Sequence, residues 1–449
     1  MKKRIVVIFK SSLFFLACFT PLYAEDLPAG PITTAAERIH IGGQGRIRYQ
    51  SFPAPPSNEN DFFTNYRFRL NVDVTIIEGV SFFLQPQKVG VFGNGETGAA
   101  VDVAQSSVQT DPSTGVGTGV GDLTLHQAYV DFTKIGGVPL ALRLGRFEYI
   151  LGGHRLIGNF DWSQRARSFE GALLSFAAPS AGTLSLFGFR LAGEKETGPL
   201  PAGDKDADTD LLGIHFGSPL LPMSLTEVTL INDRKLAGLP DSNRYTAGIK
   251  IERSPVSLPL AFISPHVGPI WRAEYYRQWG DRSAAQEIDA SLYALRLGYR
   301  FDAPLKPMIL LGWESLSGDE DVTTGDYKAF DTLYATNHLY YGQMDYFVAI
   351  PADTQGRGLR DAFFRVHLTP WEKAGFAMDG HVFSLQKEIA GERDLGKEVD
   401  ITFLAQTNKV TSVMIGYSKL FSEKGMELLG RVQPGANPDW AFVMMNVSF

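Results

Sequence analysis

LTLHQAYVDF, residues 123–132, begins the stretch that decides the fold, and VPLALRLGRF (138–147) and SFEGALLSF (168–176) continue it. Apolar and polar residues alternate in each segment; in the second, Leu142 and Leu144 flank an arginine. Successive side chains of a strand point to opposite sides, so each segment is predicted to be a strand with one apolar face. A tight Gly-Gly turn joins the first two segments, and a long loop rich in charged and aromatic residues joins the last two. Short turns that alternate with long loops predict a transmembrane antiparallel β-barrel.

The same alternation recurs along the chain and is cleanest at 65–77, where Phe68 and Leu70 share one face and Arg67 and Arg69 the other. About eighteen strands are predicted in this all-β fold, at 38–50, 65–77, 80–92, 123–132, 138–147, 168–176, 183–192, 209–216, 224–232, 244–252, 268–278, 290–301, 308–315, 360–368, 375–385, 397–405, 411–420 and 440–449. An even number is expected of single-chain bacterial barrels, and it places both chain ends on the periplasmic side, with short periplasmic turns and long extracellular loops.

The chain begins with the features of a secretory signal peptide at 1–24: basic residues, an apolar run and a small-residue cleavage site. A short periplasmic segment is expected at 25–37, and the barrel at 38–449. The only cysteine, Cys18, lies in the signal peptide, so we expect no disulfide in the mature protein.

Composition excludes several classes of protein. The net charge of −7 argues against a nucleic-acid binder, and after the signal peptide no apolar run is long enough for a transmembrane helix. Motifs for dinucleotides, nucleotide phosphates and EF-hand calcium are incomplete, so no cofactor is expected. Two loop clusters of carboxylates could hold a divalent cation weakly: Asp204, Asp206 and Asp208, and Asp319 and Asp321.

Two blocks of sequence resemble the alginate-export porin family. The first comprises Arg143-Leu144-Gly145-Arg146, Gly152-Gly153-His154-Arg155-Leu156-Ile157-Gly158, Asp161-Trp162 and Arg167-Ser168-Phe169-Glu170-Gly171. The second comprises Phe330-Asp331-Thr332-Leu333-Tyr334, Asn337-His338 and Tyr341-Gly342-Gln343-Met344-Asp345. One departure is Glu170, where the family more often has Asp; the charge is kept. The resemblance implies an outer-membrane barrel with a lumen lined by basic residues.

If the apolar rows face lipid, the polar rows face the lumen. Arginines there would create a positive field that selects anions, and their planar guanidinium groups suit carboxylates. The expected pore-lining residues are Arg46, Arg48, Arg67, Arg69, Arg143, Arg146, Arg155, Asp161, Arg165, Arg167, Arg244, Arg272, Arg296, Arg300 and Arg365. By alternation Arg146 lies on the same side of its strand as the apolar Leu142 and Leu144; it is included because of the resemblance.

Two alternatives remain open for these residues. Each arginine could instead brace the wall by pairing with an inward-facing acid such as Asp131 or Glu274. The 148–166 loop could fold inward and constrict the pore, as we expect, or pack on itself outside. The 316–359 loop has the same ambiguity, and its tyrosines could stack on sugar rings.

Three functions compete. The favoured one is passive, anion-selective export of an acidic polysaccharide, alginate-like by resemblance. The second is a porin for small anions or acidic oligosaccharides. The third, a barrel enzyme built on His338, Asp331 and Asp345, is disfavoured because no nucleophile motif accompanies them.

The expected location is the bacterial outer membrane. Partners would be the polysaccharide, outer-membrane lipid and lipopolysaccharide, the barrel-assembly machinery through the terminal Phe449, and a periplasmic export partner. We expect a monomer that does not bind nucleic acid.

Overall fold

The computed structural model describes residues 38–53, 60–92, 123–178, 181–191, 209–219, 224–235, 242–253 and 267–449. The predicted signal peptide, the segment 25–37 and the aspartates at 204–208 lie outside these residues.

The described residues form eighteen strands, close to those predicted. These are β1 Ile39–Pro53, β2 Asn60–Ile77, β3 Val80–Val91, β4 Leu123–Phe132, β5 Leu140–Phe147, β6 Phe169–Ala178, β7 Gly182–Leu191, β8 Thr209–Ser218, β9 Leu225–Lys235, β10 Ser242–Arg253, β11 Gly268–Ser283, β12 Gln286–Arg300, β13 Met308–Leu316, β14 Leu359–Trp371, β15 Ala374–Ile389, β16 Glu392–Gln406, β17 Thr411–Ser422 and β18 Asp439–Ser448. A short helix, α1, spans Lys424–Leu428 between the last two strands. None of the described helices has the length and apolarity that crossing a membrane requires.

The sheet closes on itself. Every neighbouring pair is antiparallel, and β1 pairs with both β2 and β18, so that Ile47 lies opposite Tyr66 on one side and Met445 on the other. Beyond the end of β18, the Phe449 carbonyl accepts a hydrogen bond from the Gly43 N–H at 2.9 Å. Closure leaves none of the described strands with an unpaired edge, which is the condition for a sheet to span lipid. The predicted all-β transmembrane barrel is confirmed.

The two faces of the wall differ as the alternation predicted. On β2, Phe68 and Leu70 are 49% and 44% exposed and form part of the apolar outer surface, whereas Arg67, just before Phe68, is completely buried on the inside. An arginine on the lipid face at mid-membrane would cost about 2–4 kcal/mol. The side-chain period of two therefore fixes which residues reach the lumen.

A pair of glycines allows the backbones of neighbouring strands in the 123–176 stretch to pack closely. Gly145 on β5 lies opposite Gly171 on β6 and has a φ of 130°. A Cβ on Gly145 would lie 2.3 Å from the Ala128 carbonyl oxygen, and one on Gly171 would lie 2.0 Å from the Gly188 carbonyl oxygen. Only glycine allows neighbouring backbone to approach this closely.

Among the described residues, two long connections enter the barrel. The first inner loop (148–168) joins β5 to β6, and the second inner loop (317–358) joins β13 to β14. Their backbones pair at Ile157 and Tyr334: the Gly158 N–H donates to the Tyr334 carbonyl at 2.9 Å, and the Tyr334 N–H to the Leu156 carbonyl at 2.8 Å. Apolar side chains of both loops form the main buried core with inward-facing wall residues.

The topology yields a first prediction. The tip of the second inner loop at 320–326 is largely exposed, while Gly136 and Gly137 form the short turn at the opposite end of the barrel. An epitope inserted after Thr324 should be labelled by antibody on intact cells, because it emerges on the loop side. An epitope inserted after Gly136 should be labelled only after the outer membrane is permeabilised. Surface labelling at Gly136 would contradict the orientation.

Candidate functional site

The centre of the site is one carboxylate held by three arginines. Asp161, in the first inner loop, is 2.8 Å from Arg46 Nη2, 2.9 Å from Arg67 Nη1 and 3.2 Å from Arg69 Nη1. Arg46 comes from β1 and the other two from β2, and all four side chains are buried. The polar faces of two neighbouring strands thus converge on the tip of the loop.

Further polar groups hold these guanidinium groups in place. Arg46 Nε donates to Asn446 at 2.8 Å, and Arg67 Nη2 donates to Gln44 at 2.6 Å. Arg69 also pairs with Glu148, whose Oε1 lies 3.1 Å from Nη1. The arginines are therefore positioned by the wall as well as by the loop.

Arg48 joins the same cluster through an aromatic ring. Its Nη1 donates to the Trp162 carbonyl at 3.1 Å, and its guanidinium carbon lies 4.6 Å from the Trp162 ring centroid. His338 of the second inner loop stacks on Trp162 at 4.2 Å. This contact locks the two inner loops together beside the arginines.

In the part of the chain that the structure describes, the cluster contains more positive than negative groups. Arg46, Arg48, Arg67 and Arg69 supply four guanidinium groups, and the loop supplies the carboxylates of Asp161 and Glu148. Burial alone would raise the pKa of Asp161, but the adjacent Arg67 and Arg46 lower it well below its usual range. Asp161 is therefore ionised, and among the described residues the guanidinium groups around it outnumber the carboxylates.

The first inner loop also carries a positive side chain, Arg155, which contacts the opposite wall of the barrel. Arg155 pairs with Glu314 on β13 at 2.8 Å and with Glu274 on β11 at 3.2 Å. Its guanidinium carbon lies 3.6 Å from the Tyr340 ring centroid. Burial opposes the charge of Arg155, but Glu274 and Glu314 raise its pKa well above the usual value. Asp161 and Arg155 thus fasten the first inner loop to opposite walls, one through its negative charge and the other through its positive charge.

A chain of ion pairs runs along this second wall from β9 to β13. Its members pair in turn, with Lys250 between Glu227 and Glu252, Arg272 between Glu252 and Glu274, and Arg296 against Glu314 at 2.5 Å. Positive and negative groups alternate here, so Arg272 and Arg296 act as braces of the wall in this structure.

The remaining arginines of the predicted set occupy separate environments. Arg143 forms two 2.8 Å bonds with Asp131; Arg244 pairs with Asp331 at 2.5 Å; Arg365 lies 3.6 Å from Asp379. Arg167 donates to carbonyls of both inner loops, including Gly158 at 3.1 Å and Ala335 at 3.3 Å. Arg300 is buried on β12, and Arg165 is partly exposed.

Arg146 does not lie in the lumen, so the prediction that it lines the pore is wrong. It lies two residues after the outward-facing Leu144, on the same side of β5, and pairs with Glu170 at 2.7 Å on the outer surface. No change of register between β5 and β6 turns it inward, since the two residues are direct partners.

His126 and Glu148 belong to the cluster but were not predicted. Their side chains lie 2.7 Å apart, and His126 Nε2 is also 3.0 Å from Arg69. By strict alternation His126 shares the outward parity of Ala128, but a β-bulge shifts the register between Gln85 and Pro86 and turns His126 inward. The proline in β3 was the available signal, because proline within a sheet often accompanies a bulge.

The second inner loop packs rather than presenting open sugar-binding surfaces. Tyr340 and Tyr341 are buried, and Arg155 covers the ring of Tyr340. His338 pairs with Asp345 at 2.7 Å, whereas Asp331 pairs with Arg244, so the three residues of the enzyme hypothesis do not form one site.

The described carboxylates of the divalent-cation hypothesis cap their own loop. Asp319 accepts hydrogen bonds from the N–H groups of Asp321 and Lys328, and Asp321 accepts from Thr323 and Thr324. These bonds account for the Asp319 and Asp321 carboxylates as turn-forming groups.

Removing Arg155 should destabilise the protein strongly. Arg155→Gln leaves two buried glutamates with less positive charge, which we expect to cost about 3 kcal/mol in the free energy of unfolding. Arg146→Gln is the matched control; its pair is partly exposed and should change stability by less than about 1 kcal/mol. Urea unfolding in detergent micelles measures both. Equal, small losses would show that Arg155 does not anchor the loop.

Acid should loosen the first inner loop. Burial and the nearby Lys250 lower the pKa of His154 to about 4, below the ordinary value of about 6.5. The docked loop therefore disfavours the proton: its stability is full above pH 6.5 and falls as the pH drops toward 4. Limited proteolysis across this range should show increasing cleavage of the loop in the wild type and a flatter profile in His154→Gln. Identical profiles would contradict the assignment.

Comparison with known proteins places this geometry in a family. The family model described as "Alginate export" matches residues 38–192 and 226–349, more than half of the chain. No curated protein matches the chain in sequence.

Solved porins of Pseudomonas aeruginosa have a similar fold. OpdO matches at 15% identity with a TM-score of 0.56, over 92% of this chain and 97% of its own. OccK5 (OpdH) matches at 13% identity with a TM-score of 0.58, over 92% of this chain and 98% of its own. OccK9 (OpdG) matches at 11% identity with a TM-score of 0.60, over 93% of this chain and 100% of its own. Together with the closed barrel, the family match identifies a non-enzymatic channel of the bacterial outer membrane. The chain belongs to the alginate-export family.

Proposed function

We propose that the barrel is a passive, anion-selective channel through which an acidic polysaccharide, such as alginate, leaves the cell. The cluster around Asp161 carries this proposal: among the described residues, four guanidinium groups and two carboxylates come together in a confined lumen. Charge in such a channel is poorly screened and attracts anions more strongly than it would in open water.

The chemistry of the cluster supports a carboxylate ligand in particular. Asp161 is itself a carboxylate, and its two oxygens contact Arg46 and Arg67 while Arg69 approaches from the side. Each uronate unit of an acidic polysaccharide carries the same group. We propose that a uronate carboxylate replaces Asp161 among the arginines and that the first inner loop moves aside as the polymer passes.

Competition with Asp161 also keeps affinity moderate. A site that binds each sugar tightly would hold the polymer instead of releasing it. Since the loop carboxylate can return once a sugar leaves, each arginine contact is readily exchanged. The outward direction is proposed from the description of the family, and the concentration gradient of the polymer would drive it.

A second candidate is a porin for small anions or acidic oligosaccharides. It is favoured by the packing of the two inner loops, which join at Ile157 and Tyr334 and bury Tyr340 and Tyr341 inside the barrel. A lumen constricted in this way would admit small anions without movement of the loops.

Several partners belong to the same proposal. Phe449, exposed beyond β18, would be read by the barrel-assembly machinery after the segment 1–24 has directed export. A periplasmic partner would deliver the polymer to a monomeric barrel surrounded by lipid and lipopolysaccharide.

Charge reversal tests the selectivity. Arg48→Glu combined with Arg67→Glu replaces two positive charges by two negative ones and should lower or reverse the anion preference measured by reversal potentials in planar bilayers. Arg277→Glu with Arg393→Glu makes the same change at exposed positions and is the matched control. Unchanged selectivity of the Arg48/Arg67 variant at low salt would show that these arginines only brace the barrel.

Lysine variants separate charge from geometry. Arg48→Lys with Arg67→Lys should retain the anion preference but weaken current block by an oligouronate, because lysine lacks the two-pronged guanidinium group. Block by chloride-sized anions should change little. Weaker anion selectivity without a change in oligouronate block would instead support the small-anion porin.

A further inference from the structure

We infer that the outer wall binds the phosphate groups of the outer-leaflet glycolipid, lipopolysaccharide, through a row of alternating charges across β5 to β9. The row consists of Arg146, Glu170, Arg190, Asp210 and Arg234. Each residue is the direct register partner of the next, so the five side chains lie side by side on adjacent strands. This inference does not depend on what passes through the lumen.

All five side chains point away from the lumen. Their chain neighbours Phe169, Phe189 and Leu211 are buried inside, which places Glu170, Arg190 and Asp210 on the outer face. Other residues on the same side of these strands form the lipid-facing surface. They include Leu144, Leu186, Leu212, Ile214 and Leu230, each about half exposed.

The row lies where lipid head groups meet the barrel. It is close to the loop end of every strand it crosses, because β5 ends at Phe147, β6 begins at Phe169, β7 ends at Leu191, β8 begins at Thr209 and β9 ends at Lys235. A ligand on this surface therefore needs an anionic head at the row and hydrocarbon along the apolar wall beneath it. A phosphorylated glycolipid has both parts.

The charges suit phosphate. Three arginines alternate with two carboxylates; Arg146 pairs with Glu170 at 2.7 Å and Arg190 with Asp210 at 3.1 Å. The carboxylates orient the guanidinium groups, and yet the Arg190 side chain is still 63% exposed and Arg234 is also exposed. Successive arginines are two strands apart, or about 10 Å at the usual strand spacing. One glycolipid with two phosphates can therefore contact two of them.

Another charged pair on the outer wall provides a contrast. Arg277 on β11 pairs with Asp289 on β12 at 2.7 Å, one positive against one negative group. It lies outside the row and offers no surplus of positive charge. It therefore supplies a matched control.

Titration of the purified barrel with bisphosphorylated lipid A, followed by native mass spectrometry, tests the site. Arg190→Gln with Arg234→Gln should weaken binding by at least about tenfold, because two hydrogen-bonded charge contacts are lost. Arg277→Gln should bind like the wild type, and Arg190→Lys with Arg234→Lys should retain most of the affinity. Lipid A without phosphates should bind the wild type and the double Gln variant equally.

Heat-modifiable gel migration shows that each variant is folded before it is titrated. Unchanged lipid A binding by the double Gln variant, or an equal loss in Arg277→Gln, would overturn the site. If the double variant instead abolishes a dimer of the barrel and leaves lipid A binding intact, the row is a contact between copies and the inference is wrong.

Discussion

The contact between Asp161 and three arginines is the constraint on which the interior of this barrel depends. A barrel of this size would enclose an open lumen if its loops stayed outside. The Asp161 carboxylate holds the first inner loop to β1 and β2, while Arg155 holds the same loop to Glu274 and Glu314 across the lumen. Because the two attachments have opposite sign, each wall attracts its own end of the loop. The second inner loop then packs on the first, and the core forms between them.

The arginines of the lumen fall into two groups that have different consequences. Those on the far wall, such as Arg272 and Arg296, alternate with acids and neutralise them, so they stiffen the wall without leaving a field. Among the described residues, those around Asp161 outnumber their carboxylate partners, and we propose that they leave a positive field. Arginine content alone therefore says little about selectivity; the balance of charge in each cluster decides it.

Strict alternation was enough to predict the strands, because one face of each must meet lipid and the other must not. β12, expected at 290–301 and found at Gln286–Arg300, is typical. The site was harder to predict, since pairing depends on register and on how loops fold back, and neither can be read from one strand alone. A single bulge turned His126 inward, and unbroken register left Arg146 outside with Glu170. The inward course of the first inner loop was expected; the wall residues that pair with Asp161 and Arg155 were not.

The most direct test of the account is the current block by a uronate oligomer in wild-type and Asp161→Asn channels. If the Asp161 carboxylate occupies the position that substrate carboxylates take, removing its charge leaves the arginines to the ligand. The account then predicts block at lower oligomer concentration and a larger anion preference. Block that is unchanged or weaker in Asp161→Asn would show that Asp161 does not compete with the substrate, and would contradict the central claim.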